Sequence, residues 1–304
     1  MKRILVTGSE GFLGKKLVKE LRKYYDVWGC DIKESGESSD RWIFCDILSK
    51  DDLELVFDYV KPTVCYHLAA IADVNIARSM PYYTLRVNAF SLVDLIQMCA
   101  KYNCKLNFIS SCCVYGNTNE HPTTEKANRM PTEIYGASKK IAEDIIYTLA
   151  RLYNVKYNIL RPSTIYGPGM RPALAIYIFI ERALKNEPLP IHGTGRQTRT
   201  WIYIDDLVDA LVRVERYGLQ YETLNLAGAK TYSVIEVAKK VIQLTDSKSE
   251  LKFVEDRPGQ VMHEEICIDK ARKVLQWEPK TSLREGLVKT IEWLRKKLEE
   301  ESKQ

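Results

Sequence analysis

The sequence predicts a doubly wound α/β fold, a parallel sheet covered by helices on both faces, followed by a smaller C-terminal α/β region. Three observations carry this prediction. Short apolar, β-branched runs alternate with amphipathic stretches through the first half of the chain. The runs lack the strict period-two alternation of a half-exposed sheet, which is what strands buried on both faces require. The first run opens directly into a glycine-rich turn and then a helical pattern.

In chain order, the predicted strands are 3–7, 27–31, 42–45, 63–67, 105–110 and 156–161. After the first of them, Leu13, Leu17, Val18 and Leu21 recur at helical spacing. Two longer helices without internal proline are predicted over 81–102, where Pro81 suits a first helical turn, and over 134–153. Beyond Arg161 the composition changes, with prolines at 162, 168, 172, 188 and 190 and glycines at 167, 169, 193 and 195. A domain boundary is therefore expected here, dividing 1–166 from 167–304. The second part carries predicted helices at 172–186, 205–217, 233–244 and 283–298 and strands at 201–204 and 223–226. Some of its segments can return to the first sheet.

Composition narrows the function classes. With 304 residues, 45% hydrophobic and 28% charged, the chain is neither disordered nor a disulfide-stapled mini-protein. Lys plus Arg exceed Asp plus Glu by 45 to 40, a net +5 with no basic block longer than three residues, so no nucleic-acid partner is expected. The longest apolar run, 173–180, is under half of the roughly 20 residues that cross a bilayer, so no membrane association is expected. The N-terminal apolar run ends at Val6, too short for a signal-peptide core, which points to the cytoplasm. Eight cysteines, at 30, 45, 65, 99, 104, 112, 113 and 267, lack the C-x-x-C spacing of a metal or redox site. They are expected to be reduced thiols, most of them in the core, and no metal is expected.

The chemistry concentrates in two places. Gly8, Gly11 and Gly14 form G-x-x-G-x-x-G between the first strand and the helix that Phe12 and Leu13 open. Glycines there permit a tight turn and close approach of backbone N–H groups to a pyrophosphate at a helix N-terminus. Asp31 ends the second strand, where a carboxylate accepts hydrogen bonds from an adenosine ribose; this favours NAD over NADP, although Lys33 lies two residues on. Asp46 and Ile47 follow the third strand, in place for an adenine edge. The second place is the long helix, where Tyr135 and Lys139 stand four residues apart on one face. A phenol serves as a general base near neutrality only when positive charge stabilises its phenolate, and Lys139 supplies such charge. Ser111 adds a hydroxyl at the carboxyl edge of the sheet, where open α/β folds bind ligands.

Taken together, the glycine loop, His67-Leu68-Ala69-Ala70, Ser110-Ser111 with Val114-Tyr115-Gly116, and Tyr-x-x-x-Lys at 135 and 139 resemble the extended short-chain dehydrogenase/reductases. Within them the chain is similar to the NAD-dependent nucleotide-sugar epimerase/dehydratase family, above all to the UDP-glucose (UDP-galactose) 4-epimerases. Gly167-Pro168, Met170-Arg171-Pro172, the segment from Gly193 to Arg199, Asp205-Asp206 and Arg257-Pro258-Gly259 occur in that group in the same order. The resemblance implies a Rossmann domain over 1–166 that binds NAD, and mainly a nucleotide-sugar domain over 167–304. It implies that Leu68, Ala69, Ala70 and Asn88 join the cofactor site, Tyr135 and Lys139 included, and that Arg199 and Arg257 contact the nucleotide diphosphate. Tyr135 then takes the proton of the sugar 4-hydroxyl as its hydride leaves, Ser111 hydrogen-bonds the same oxygen, and the 4-keto sugar rotates before the hydride returns. The long helices are further expected to form a homodimer through a four-helix bundle.

Several departures bear on the reaction. Dehydratases and decarboxylases of the family generally carry an acidic residue where Cys113 stands, which weighs against elimination of water. Cys113 also aligns with a cysteine that GDP-fucose synthase uses in C3/C5 epimerisation, and Cys112 with one of a 5,6-dehydratase subgroup, so both are candidate substrate contacts. Thr164 replaces a common Asn and Thr200 a common Asp. The alternatives to 4-epimerisation are a reductase, C3/C5 epimerase or dehydratase of the same family, and a non-catalytic dinucleotide sensor.

Overall fold

The computed structural model describes residues 2–34 and 40–302. Among the described residues thirteen strands follow in chain order: β1 (Arg3–Thr7), β2 (Asp26–Asp31), β3 (Trp42–Phe44), β4 (Val64–His67), β5 (Lys105–Ile109), β6 (Tyr157–Pro162), β7 (Ile165–Tyr166), β8 (Leu189–His192), β9 (Thr198–Arg199), β10 (Ile202–Tyr203), β11 (Glu222–Leu226), β12 (Tyr232–Ser233) and β13 (Leu251–Val254). The helices are α1 (Phe12–Leu21), α2 (Lys50–Val60), α3 (Val74–Ser79), α4 (Pro81–Leu85), α5 (Ser91–Lys101), α6 (Ile134–Leu152), α7 (Ala175–Leu184), α8 (Ile204–Arg216), α9 (Val234–Thr245), α10 (Asp269–Leu275) and α11 (Leu283–Glu301).

Seven strands build one parallel sheet in the order β11-β6-β5-β4-β1-β2-β3. The chain winds outward from β1 in both directions, so a crevice opens at the carboxyl ends of β1 and β4, the usual ligand position of such sheets. Register brings Thr7 of β1 level with His67 of β4, and their side chains bond, Thr7 Oγ1 to His67 Nδ1, at 2.7 Å. All four residues of β4 are buried. Helix ends follow local chemistry: Ser49 caps α2, and Ser233 with Glu236 and Ser282 with Glu285 form capping boxes on α9 and α11.

Apolar side chains fill both faces of the sheet. On one face Leu53, Phe57, Leu95, Ile96 and Ile146 from α2, α5 and α6 cover Leu5, Cys65, Leu106 and Phe108. On the other, Leu17 and Leu21 of α1 meet Leu207 and Leu211 of α8, and that cluster runs on without a break to Trp277, Leu287 and Leu294. The expected 166/167 division therefore separates regions that share a core, and β11 and α8 of the second region complete the layers of the first.

Two helical expectations change. Instead of one regular helix over 81–102, α4 and α5 are joined by a π turn, Arg86–Phe90. The extra residue in this turn lets Asn88 reach the segment after β4, a common use of π-bulges. Helix α3, which was not expected, starts where Asp73 accepts hydrogen bonds from the N–H groups of Asn75 and Ile76.

Because β11 belongs to the shared core, Leu226→Ala, at a fully buried position, should cost about 2–5 kcal/mol. Urea unfolding of this variant, followed by circular dichroism and tryptophan fluorescence, should still give coincident transitions; separated transitions would indicate independent domains.

Candidate active site

The glycine turn lies at the β1/β4 crevice. Gly8 has φ +70°, and a Cβ there would stand 2.6 Å from the backbone nitrogen of Ala69. A side chain at Gly14 would run into the carbonyl oxygen of Gly8. Only glycine fits either place. The Gly11 N–H donates to Gly8 O at 3.1 Å, and Gly11 is the N-cap of α1, so the first-turn N–H groups of Phe12, Leu13 and Gly14 face the crevice mouth. Asp31 braces the turn from β2: its Oδ2 accepts the Glu10 N–H at 2.9 Å and its Oδ1 the Lys33 N–H at 3.0 Å. Each oxygen retains a second lone-pair direction. Leu68 N–H donates to Thr7 O, and the Ala69 N–H to Thr7 Oγ1 at 3.4 Å, which brings the Leu68-Ala69-Ala70 backbone alongside the loop. The cradle of glycines, the open helix N-terminus and the carboxylate at the end of β2 fit a dinucleotide.

Asp46 and Ile47 divide. Asp46 Oδ1 accepts the Leu48 N–H and remains partly exposed, whereas the Ile47 side chain is buried in the core. Asn88, expected at the cofactor, is fully buried and committed to the protein. Its Oδ1 accepts the Ile71 N–H at 2.7 Å, and its Nδ2 donates to Ile71 O at 2.9 Å and to Ser138 Oγ at 3.0 Å. It ties the segment after β4 to α6 and has no hydrogen left for a ligand.

Helix α6 carries Tyr135, Lys139 and Glu143 at successive four-residue steps. Lys139 is buried; its Nζ donates to Ile109 O at 2.8 Å and lies 4.7 Å from the centre of the Phe108 ring. Burial pulls its pKa down to about 7, against the opposing charge of Glu143. Burial also pushes the Tyr135 phenol well above its ordinary range, helped by the Cys113 thiol and opposed by the Ser111 hydroxyl and Arg171. Ser111 caps a short 3-10 turn, Cys112–Val114, its Oγ accepting the Cys113 N–H at 3.2 Å.

A family model matches residues 4–227, described as the NAD dependent epimerase/dehydratase family. The chain belongs to that family. Among related proteins, UDP-glucuronic acid decarboxylase 6 of Arabidopsis thaliana is 30% identical over 94% of this chain and 86% of its own. The UDP-glucose 4-epimerase of Thermotoga maritima, solved with UDP-glucose, superposes with a TM-score of 0.91 at 32% identity, covering 97% of this chain and 99% of that one. UDP-glucuronic acid 4-epimerase of Bacillus cereus, solved with UDP-glucuronic acid and NAD, gives 0.90 at 28% identity with the same coverage.

In this member of the family the cleft beside Tyr135 runs along Cys113 and Thr164 to a wall holding Arg199, Arg257, Gln197 and Glu264. The two cysteines separate: Cys113 lines the cleft, whereas Cys112 is buried with its Sγ donating to Arg161 O at 3.2 Å. Cys112 is thus turned away from the cleft, because successive side chains of a 3-10 turn stand about 120° apart. Arg199 Nη1 donates to the carbonyls of Thr198 and Val261 at 2.7 and 2.8 Å, and Arg257 Nη2 meets His192 Nε2 at 3.0 Å.

Glu264 was not foreseen, and nothing in its flanking sequence signals it. Its Oε1 accepts the Thr200 N–H at 3.2 Å, so the carboxylate missing at position 200 is supplied from across the strand. Burial pushes this carboxyl up while Arg199 opposes the shift. Arg78 and Glu133, also in the cleft, pair at 3.1 Å.

A buried ammonium leaves a signature in stability. In the unfolded chain Lys139 holds its proton to about 10.5, in the folded one only to about 7. Folding therefore releases that proton between these values, and stability should rise with pH across the window and carry the full penalty below it. Lys139→Met should remove this component: the melting temperature of the cofactor-free variant should exceed wild type at pH 6 and converge with it towards pH 10.

Proposed function

We propose that the chain catalyses NAD-dependent epimerisation of a nucleotide sugar at C4, of the UDP-glucose/UDP-galactose type, through a transient 4-keto sugar. The observation that supports this reading is a cleft lined by Tyr135 and Cys113 whose wall presents Arg199 and Arg257, with Ser111 bonded to the Cys113 amide, Lys139 one turn beyond Tyr135 on α6, and a thiol at position 113 where dehydratases and decarboxylases need a carboxylate. In this reading the N–H groups of Phe12, Leu13 and Gly14 hold the pyrophosphate of NAD, with Gly8 giving the room and Gly11 closing the turn, Asp31 takes the adenosine ribose, and Asp46 with the Ile47 backbone faces the adenine. Leu68, Ala69 and Ala70 line the cofactor path, and Lys139 and Tyr135 meet the nicotinamide ribose. NAD held there would supply a reversible hydride acceptor.

The remaining work falls to side chains of the chain itself. Tyr135 Oη takes the proton of the sugar 4-hydroxyl, Ser111 Oγ hydrogen-bonds the same oxygen, and Lys139 stabilises the phenolate. Arg199 and Arg257 grip the diphosphate, a geometry suited to guanidinium. With the diphosphate anchored, the sugar can turn and present its other face, while Thr164 and Cys113 bound the space in which it turns. The position of Cys113 in the cleft also supports a second reading, a C3/C5 epimerase in which the thiol exchanges a carbon-bound proton next to the ketone. We also propose a cytoplasmic location, a reading that the eight free cysteines support.

UDP-glucose incubated with the purified protein without added nucleotide should yield the galacto product, seen by proton NMR, and mass analysis of the released cofactor should find NAD. A requirement for equimolar reduced cofactor would establish a reductase instead. Tyr135→Phe should lower kcat by about 10²–10⁴-fold while NAD still binds; unchanged turnover removes Tyr135 from the mechanism.

We also propose a homodimer. Tyr82, Phe90 and Val93 along α4, the π turn and α5, and Leu152 at the end of α6, are exposed, a pattern that suits a four-helix interface. Sedimentation velocity should give twice the chain mass, and Phe90→Glu should shift it towards monomer.

A further inference from the structure

The mechanism just proposed leaves several buried titratable groups without a task, and Glu143 is the one beside its lysine. Glu143 is fully buried, one turn beyond Lys139 on α6, and it receives four hydrogen bonds. Ser110 Oγ donates to Oε1 at 2.6 Å, Arg161 donates from Nε to Oε1 at 2.8 Å and from Nη2 to Oε2 at 2.6 Å, and Arg129 Nη1 donates to Oε2 at 2.9 Å. Its donors come from the end of β5, from β6 and from the loop before α6. Ser110 immediately precedes Ser111, whose Oγ holds the amide of the cleft residue Cys113.

We infer that Glu143 is a positioning residue for proton transfer: its carboxylate fixes Ser110-Ser111 against α6, and its negative charge sets the potential felt by Lys139. A scaffold role alone needs only shape and hydrogen bonds, whereas this one needs the charge.

The groups around Lys139 support it. From β4 comes His67, which burial holds neutral with a pKa of about 3, and from β5 the Ile109 carbonyl and the Phe108 face. From α6 come Tyr135, neutral in the absence of ligand, and Glu143, whose charge opposes the loss of the Lys139 proton. Beyond the carboxylate stand Arg161 and Arg129, and Arg129 also pairs with Asp144, which Lys140 holds at 2.9 Å. The two arginines compete with Lys139 for the field of Glu143. Taking away the carboxylate charge and taking away an arginine charge must therefore act on Lys139 in opposite directions.

This inference rests on the proposed role of Lys139, yet it can be tested without a substrate. On the full chain carrying lysine labelled with carbon-13 at Cε, NMR follows the Lys139 resonance, identified by its disappearance in Lys139→Met. The expected midpoint lies near pH 7 in wild type. In Glu143→Gln it should fall by about one pH unit, and in Arg129→Gln, a change at a partly exposed side chain, it should rise. Glu143→Asp should restore most of the midpoint even if its melting temperature stays low. A midpoint that does not fall in folded Glu143→Gln, or does not rise in Arg129→Gln, overturns the inference. If Glu143→Gln does not fold, Arg129→Gln decides. Failure to turn over UDP-glucose would refute the proposed reaction and leave this titration standing.

Discussion

The ion pair between Glu143 and Arg161 is the constraint on which the site depends. Both groups are buried, and the guanidinium meets the carboxylate through two hydrogen bonds, at 2.8 and 2.6 Å. Its remaining nitrogen, Nη1, donates to Tyr115 Oη at 2.7 Å; Tyr115 donates in turn to Asn225 of β11 at 2.6 Å. One connected network thus clamps β5, the 3-10 turn, α6, β6 and the edge strand. Breaking a buried pair by removing one member typically costs about 3–5 kcal/mol, since the other charge is then left uncompensated. Swapping both members for apolar side chains need not cost stability, so the retention of the pair makes sense in what it positions.

What it positions is a set of hydroxyl, thiol, phenol and ammonium groups that come from different elements. Ser111 and Cys113 belong to the strand-end turn, Tyr135 and Lys139 to α6, and none is held by a contact with another of the set alone. Lys139 is fixed by the Ile109 carbonyl, Ser111 by the Cys113 amide, and both supports rest on the β5 end that Ser110 ties to Glu143. Asn88 performs a similar service one layer out, spending its amide on Ile71 and Ser138. The π turn is the backbone consequence of that placement.

The doubly wound sheet, the glycine turn and the Tyr135/Lys139 helix were legible in the sequence because each is local: a hydrophobic period, a run of small residues, a four-residue spacing. The division at 166/167 was less so. Composition changes there, but β11 and α8 rejoin the first layers, and whether a strand pairs with a distant neighbour is invisible to local pattern. The same limit hid the sorting of the two cysteines. Cys112 and Cys113 are chemically identical neighbours, and only the turn geometry sends one sulfur to the Arg161 carbonyl and the other to the cleft. Glu264 was hidden for another reason, since its meaning comes from Thr200, 64 positions away in sequence.

That pairing changes how the charge of the cleft is to be understood. Thr200, read alone, removes a negative group from the Arg199 wall; with Glu264 beside it, the carboxylate is relocated rather than lost. The relocated group is buried and its pKa is raised, so it holds its proton more readily than a solvated acid and weakens the field of Arg199 less. Tyr135 and Lys139 are displaced in the same sense, the phenol upward and the ammonium downward, each towards its neutral form. Without ligands, then, the cleft presents Arg199 and Arg257 beside the Arg78–Glu133 pair, while Tyr135 and Glu264 are shifted towards their neutral forms. In the proposed reading a diphosphate entering against those arginines meets little competing negative charge, and positive charge brought beside the phenol acts on a group whose ionisation burial suppresses. On the proposed mechanism, charge that appears only when ligands bind favours proton transfer at the moment it is needed, and the carboxylate of Glu143, one helical turn from Lys139, would bias that moment without touching the ligands.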